Sequence, residues 1–258
     1  MKDIRIIFFD IDGTLIDMEK KHMTDTMLHT LRQLKRRGYI LCLATGRGPS
    51  SLPRFEGVEF DAFLTFNGSY CFTPREDLFS NPLPAEDVDT LLRNAASIGR
   101  PVSIATADRY AANGADEDLI QYYAFAGKEV EIPDDFHQLI KSPVYQVMLG
   151  CRESDHPALL RGTRNTKAAA WWDRAADFIP ADGGKGSGIR KILEHFGLSR
   201  ENALAFGDGS NDIEMLQAVG TGIAMGNASD KVKAQADAVC PCVGDEGITS
   251  YCMEHGLL

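Results

Sequence analysis

Asp10 and Asp12 stand in the segment Phe9-Asp10-Ile11-Asp12-Gly13-Thr14-Leu15, separated by one residue and directly after an apolar run. Carboxylates so spaced, with a glycine to turn the chain, project into one crevice beyond a strand end, where open parallel sheets bind ligands. The chemistry open to them is nucleophilic attack, proton transfer or cation binding. Three other segments repeat the arrangement. Ala44-Thr45-Gly46-Arg47 brings a hydroxyl after a second apolar run, and Gly183-Gly184-Lys185-Gly186 brings an ammonium to the start of an amphipathic stretch. Phe206-Gly207-Asp208-Gly209-Ser210-Asn211-Asp212 follows a late apolar run and leads into a helical pattern.

Each segment has a plainer reading. Asp-Gly is a common turn, Asp208 or Asp212 is a reasonable helix cap, and Lys185 beside glycines suits a solvated loop. A calcium loop is excluded because Thr14 and Leu15 stand where it needs a further acid and its turn glycine. A P-loop is excluded because Gly186 replaces the hydroxyl residue that follows its lysine. Four such segments, each at an element boundary, are more economically explained by one site than by four coincidences.

The elements that would carry them follow from periodicity. Ile4 to Phe9, Tyr39 to Ala44 and Ala62 to Phe66 are short apolar runs of the kind buried on both faces of a parallel sheet. Met27, Leu28, Leu31 and Leu34 recur at helical spacing before Gly38. The same grammar returns late. Ile189 to Phe196 reads as a helix, Ala203 to Phe206 as a strand and Ile213 to Ala218 as a helix. Gly222 to Met225 reads as a strand, Ala228 to Ala236 as a helix and Ala236 to Cys240 as a small buried strand. Strand–helix alternation implies right-handed crossovers and places all four segments at one sheet edge. Between them the texture changes. A helix over Leu83 to Ile98 and strands over Val102 to Thr106 and Val144 to Gly150 suggest a separate domain. The expected organisation is a catalytic domain of residues 1–80 and 181–258, interrupted by an α/β domain of residues 81–180.

Composition limits the partners. Of 258 residues, 27 are Lys or Arg and 37 are Asp or Glu, so the formal charge is −10. That sign disfavours nucleic acid or an anionic membrane as a general partner. No stretch is apolar for the roughly 18 residues that cross a bilayer. The N-terminal run is too brief for a signal peptide. Six cysteines are too sparse for a disulfide framework, so reduced thiols in the cytoplasm are expected. Cys240, Cys242, Cys252 and His255 lack the paired knuckles of common zinc sites and read as core or loop residues.

The four segments resemble, in order and spacing, the signature motifs of the haloacid dehalogenase superfamily phosphatases, and of their Cof-like, class IIB branch in particular. Asn67-Gly68 after the third strand is also similar. The resemblance implies a Rossmann-like parallel-sheet α/β core with an inserted α/β (class IIB) cap, and a Mg²⁺-dependent phosphomonoester hydrolase. Asp10 is then the nucleophile that forms an aspartyl-phosphate, and Asp12 the acid and later the base. Thr45, Gly46, Lys185 and Asn211 hold the phosphoryl group. Asp10, the Asp12 carbonyl and Asp208 are the metal ligands, with Asp212 supporting them. The implied substrates are small phosphorylated metabolites of the sugar phosphate or pyridoxal phosphate class. A phosphomutase and a catalytically idle phosphometabolite-binding protein are the alternatives. Intact Asp10, Asp12, Lys185 and Asp208 argue against the idle one. Arg109, Tyr110, Asn113, Trp171 and Trp172 are polar or aromatic residues of the insertion, more simply read as solvated loop and domain core than as substrate contacts.

Overall fold

The computed structural model describes residues 3–258, apart from the side chain of Trp171; Met1 and Lys2 lie outside the described residues. The elements run β1 (Ile6–Phe9), α1 (Asp25–Arg36), β2 (Ile40–Ala44), β3 (Ala62–Thr65), β4 (Tyr70–Phe72) and β5 (Asp77–Ser80). Next come α2 (Ala85–Ser97), β6 (Ser103–Ala105), β7 (Tyr110–Ala112), α3 (Glu117–Phe125), α4 (Phe136–Leu139) and β8 (Gln146–Gly150). They continue with α5 (His156–Leu159), β9 (Thr166–Trp172), β10 (Ala175–Pro180), α6 (Lys185–Phe196), β11 (Ala203–Gly207) and α7 (Ile213–Ala218). The last are β12 (Thr221–Ala224), α8 (Asp230–Lys233), β13 (Ala238–Val239) and α9 (Gly247–Glu254).

These elements form two compact units. One comprises residues up to Gly46, Pro53–Phe79 and Lys185–Leu258; the other comprises Arg47–Leu52 and Ser80–Gly184. The first is built on a sheet in the order β13-β12-β11-β1-β2-β3-β4-β5, parallel from β13 to β3. The central strands β1, β2 and β11 are apolar because both their faces are covered. Ile6 and Phe8 pack with Ile189 and Ile192 of α6 and Met215 of α7. On the other face, the rings of Phe9 and Phe206 stack at 5.7 Å, and Phe206 meets Tyr251 of α9 edge-on. Thr24 caps α1 by accepting from Met27 N at 3.1 Å, and the apolar stripe Met27, Leu31 and Leu34 is buried. The chain leaves β1 toward β2 on one side and later returns with β11 on the other. The strand order therefore reverses beside β1, and ligands bind beyond the strand ends at such a reversal.

The second unit is an antiparallel sheet in the order β7-β6-β8-β10-β9. Val88, Leu91 and Ala95 of α2 pack on one of its faces against Ile104, Val147, Leu149, Ala176 and Phe178. The architecture is the α/β class expected, a parallel-sheet core with an inserted α/β domain. Two local expectations are corrected. The helix expected over Ala228 to Ala236 is only Asp230–Lys233, because the chain leaves it through turns closed by Gln235 N on Val232 O at 3.0 Å. The strand expected to be buried over Ala236 to Cys240 is Ala238–Val239, at the sheet edge, with Val239 51% exposed.

Candidate active site

Asp10 follows the last residue of β1, and its N–H continues the ladder by donating to Phe206 O at 3.0 Å. Its carboxylate is buried. The chain then turns tightly: Gly13 N donates to Ile16 O and Ile16 N to Ile11 O, both at 2.8 Å, which holds half-buried Asp12 over the sheet edge. Thr45 stands just past β2, whose Leu43 is level with Phe9 of β1, so its buried side chain lies at the same edge.

Lys185 is the first residue of α6 and is 1% exposed. Its Nζ is 2.6 Å from Asp10 Oδ1 and 2.5 Å from Asp212 Oδ1. The neighbouring glycine accounts for this placement. A Cβ on Gly186 would stand 2.7 Å from Glu214 O, so only glycine lets the start of α6 close on α7. A P-loop hydroxyl is therefore excluded here by packing as well as by pattern.

Asp208 follows β11, the strand on the other side of β1. Thr14 Oγ1 donates to its Oδ1 at 2.8 Å, and Asn227 Nδ2 approaches its Oδ2 at 3.3 Å. Gly13 adopts φ +87°, and a Cβ there would collide with the Asp208 carboxylate. Asp212 Oδ2 accepts from the N–H groups of Asp208 and Gly209 at 3.0 and 2.8 Å. Asn211 Nδ2 donates to Oδ1 of Asn67 at 2.9 Å, and Asn67 N donates to Thr45 O at 3.0 Å. One sheet edge thus gathers Asp10, Asp12, Thr45, Lys185, Asp208, Asn211 and Asp212. Gly46 is the last residue of this unit before the chain enters the other.

Two residues of the edge drew no role from the sequence. Thr14 enters the sequence reading only as a residue that speaks against a calcium loop. Asn227 follows β12, donates to Gly13 O at 2.8 Å and accepts from Val243 N at 3.0 Å, so one amide joins three loops. The available signal was positional: β12 is another parallel strand ending at the ligand-binding side of the sheet.

The charges are unbalanced. Carboxylate oxygens of Asp10, Asp208 and Asp212 lie within 4.8 Å of one another, against one buried ammonium. Burial, then the charge of Asp212, raises the Asp10 carboxyl well above the usual carboxylate range, although Lys185 opposes the shift. Burial and Asp212 likewise push Asp208 to about 7, with the Thr14 hydroxyl opposing. Burial works against the Lys185 ammonium, but Asp10 and Asp212 outweigh it and keep that group firmly protonated. A surplus of hard oxygen donors in a buried crevice fits a divalent cation such as Mg²⁺.

The sequence matches the haloacid dehalogenase-like hydrolase family over residues 7–251. YkrA of Bacillus subtilis (strain 168) is 32% identical over 259 residues, covering 99% of each chain. The HMP-PP phosphatase of Citrobacter koseri is 31% identical over 243 residues, covering 90% of this chain and 87% of that one. Among solved structures, the HAD subclass IIB sugar phosphatase BT4131 superposes with a TM-score of 0.91 at 28% identity, covering 98% of this chain and all of the other. With the acid-rich edge of the parallel sheet and the inserted α/β unit, these likenesses fix the identity: the chain belongs to the haloacid dehalogenase-like hydrolases and is a phosphatase of their Cof-like, subclass IIB branch.

Proposed function

We propose that this phosphatase hydrolyses the phosphomonoester of a small cytoplasmic metabolite, of the sugar phosphate or pyridoxal phosphate class, through an aspartyl-phosphate on Asp10. The HMP-PP phosphatase and sugar phosphatase likenesses support a small phosphorylated substrate. The observation that carries the reading is the buried Asp10 carboxylate, 2.6 Å from Lys185 Nζ and beside two further acids. Lys185 draws the anionic phosphoryl group toward an anionic nucleophile that would otherwise repel it.

Asp10 attacks phosphorus, forming an O–P bond as the P–O bond to the leaving group breaks. Asp12 gives its proton to the departing oxygen, then takes one from the water that hydrolyses the acyl phosphate. Thr45, the Gly46 backbone and Asn211 steady the phosphoryl oxygens with Lys185. Asp10, the Asp12 backbone carbonyl and Asp208 would hold Mg²⁺, which supplies positive charge to offset that of phosphate and carboxylates. Asp212 fixes the backbone at Asp208 and shares Lys185.

Phosphate release from a panel of phosphorylated metabolites, with Mg²⁺ and with chelator, tests the reading. Wild type releases phosphate only with the cation. Asp10→Asn forms no radiolabelled phosphoenzyme and loses turnover; near-normal turnover by that variant would sink the mechanism.

A further inference from the structure

Asn67 stands in the turn between β3 and β4, and no step of the proposed reaction uses it. Phe66, Asn67 and Gly68 have φ of +49°, +53° and +91° in succession. Only glycine enters this left-handed region freely; asparagine tolerates it, and a bulky phenylalanine there is strained. All three residues are buried, Asn67 to 1% exposure. The following residue breaks a second rule: Ser69 is fully buried, and its hydroxyl has no hydrogen-bond partner among the described residues. A chain that only had to reverse from β3 into antiparallel β4 could use an exposed turn of glycine and polar residues. Strain kept inside a folded protein is held by its surroundings and concentrates at functional sites.

The surroundings here are the loops of the candidate active site. Thr45 N donates to Leu64 O at 2.9 Å and Asn67 N donates to Thr45 O at 3.0 Å, so the exit from β3 holds Thr45 by both backbone groups. The Asn67 side chain engages a different loop. Its Oδ1 accepts from Asn211 Nδ2 at 2.9 Å, 144 residues further along the chain. The turn also packs on α6, which starts at Lys185. That approach is close: a Cβ on Gly188 would stand 2.5 Å from Leu64 Cδ1 and 3.0 Å from Cys71 Sγ, residues on either side of the turn. One buried residue therefore ties the loop of Thr45 to that of Asn211, against the helix of Lys185.

We propose that Asn67 is a positioning residue for phosphoryl transfer, its Oδ1 fixing the plane of the Asn211 amide while its N–H holds the Thr45 backbone. An asparagine amide carries two protons on nitrogen. Asn211 gives one to Asn67, which directs the other at a phosphoryl oxygen and keeps the amide from rotating between turnovers. Donors fixed in advance need no reorganisation as charge develops in the transition state. The assignment rests on the reading of Thr45, Lys185 and Asn211 as phosphoryl contacts.

Hydrolysis of p-nitrophenyl phosphate by wild type, Asn67→Gly, Asn211→Ala and the double variant tests it. Glycine takes a φ of +53° freely and keeps the N–H bond to Thr45 O, so Asn67→Gly removes the side-chain link alone. A turn with no role beyond its shape would accept the change. A positioning role instead lowers kcat by about tenfold with KM within about twofold, because the loss falls on the transition state. The double variant is then no slower than Asn211→Ala, since both changes remove the same oriented amide. An Asn67→Gly enzyme as fast as wild type beside a slow Asn211→Ala, or two effects that multiply, overturns the assignment alone. Asn211→Ala as fast as wild type overturns the reading of Asn211 as a phosphoryl contact, and the assignment with it.

Hydrogen exchange of side-chain amides in isotope-labelled wild type reads the hold without turnover. The Asn211 proton bonded to Asn67 exchanges about tenfold more slowly than those of exposed Asn113. Exchange as fast as at Asn113 overturns the assignment. Failure of wild type to hydrolyse the ester counts against the phosphatase reading, and exchange at Asn211 still decides whether Asn67 holds it.

Discussion

The carboxylate of Asp212 serves Lys185 and the Asp208 backbone together, with Oδ1 2.5 Å from Lys185 Nζ and Oδ2 3.0 Å from Asp208 N. Asp212→Asn keeps the shape but leaves the buried ammonium with Asp10 as its single close acid. Breaking a buried pair costs about 3 kcal/mol at the low end of its range. A small misplacement of reacting groups costs on the order of 10²-fold in rate. Denaturant unfolding and steady-state kinetics should therefore both record the loss. A variant as stable and as fast as wild type would show that Lys185 is held by Asp10 alone.

The seat of Asp208 gives the second prediction. Thr14 and Asn227 donate to its two oxygens, and Gly13 leaves it room. Thr14→Val removes one donor to a charged acceptor, worth about 1.5–3 kcal/mol. Gly13→Ala must relieve a collision in a backbone conformation that L side chains avoid. Calorimetric titration with Mg²⁺ should show weaker binding in both variants, more so in Gly13→Ala. Unchanged cation affinity in Gly13→Ala would exclude Asp208 as a ligand.

Acidity gives the third. With no cation bound, Asp10 is raised and Asp208 is pushed to about 7, whereas unfolded aspartates titrate near 3.8. Between those values the folded state holds the extra protons, so the cation-free protein loses stability as pH rises from about 4 to about 7. A cation must displace the same protons, so its affinity falls by up to about tenfold per pH unit below 7 for each proton displaced. Thermal melts in Mg²⁺ and in chelator should separate more widely at pH 8 than at pH 5. An equal separation at both would contradict the placement of the cation among these acids.

How much of this was readable beforehand depended on the kind of signal. The parallel strands were legible because β1, β2, β3 and β11 are buried on both faces and so appear as apolar runs. Asp10, Lys185 and Asp208 were legible because each sits at an element boundary that periodicity locates. The partners of Asp212 were not, since its bonds to Lys185 and to Asp208 N depend on how α6 packs on α7. Neither was β4, a three-residue strand whose antiparallel pairing with β3 is set by the turn at Phe66–Gly68, where three successive residues have positive φ. The burial of Gln146 in the second unit was equally hidden. The strands there are short, and Gln146 differs from a surface glutamine only through its neighbours in the sheet.

Asp87 supports the last prediction, which concerns the second unit by itself. It lies in the first turn of α2 and is 2% exposed. Its carboxylate accepts from Arg164 N at 3.0 Å, Asn165 N at 2.8 Å and Thr166 Oγ1 at 2.7 Å, pinning the entry to β9. Burial pushes its carboxyl up, but the Asn165 N–H, the Thr166 hydroxyl and the Arg164 N–H outweigh it and hold the group below the usual aspartate value. The folded carboxyl therefore binds its proton less tightly than the unfolded one. The stability it contributes is present above the unfolded value near 3.8 and disappears as pH falls through the lower folded value. Asp87→Ala removes the common acceptor of three part-buried hydrogen bonds, and a hydrogen bond to a charged group contributes about 1.5–3 kcal/mol at most. The variant should unfold at lower denaturant than wild type at pH 7, by a few kcal/mol in all, with the difference shrinking as pH falls below the unfolded value near 3.8 and through the lower folded one. Hydrogen exchange should localise the loss to residues 164–172 and the start of α2. A stability difference that persists unchanged into strong acid would show that the lost contacts are packing contacts rather than those of an ionised carboxylate.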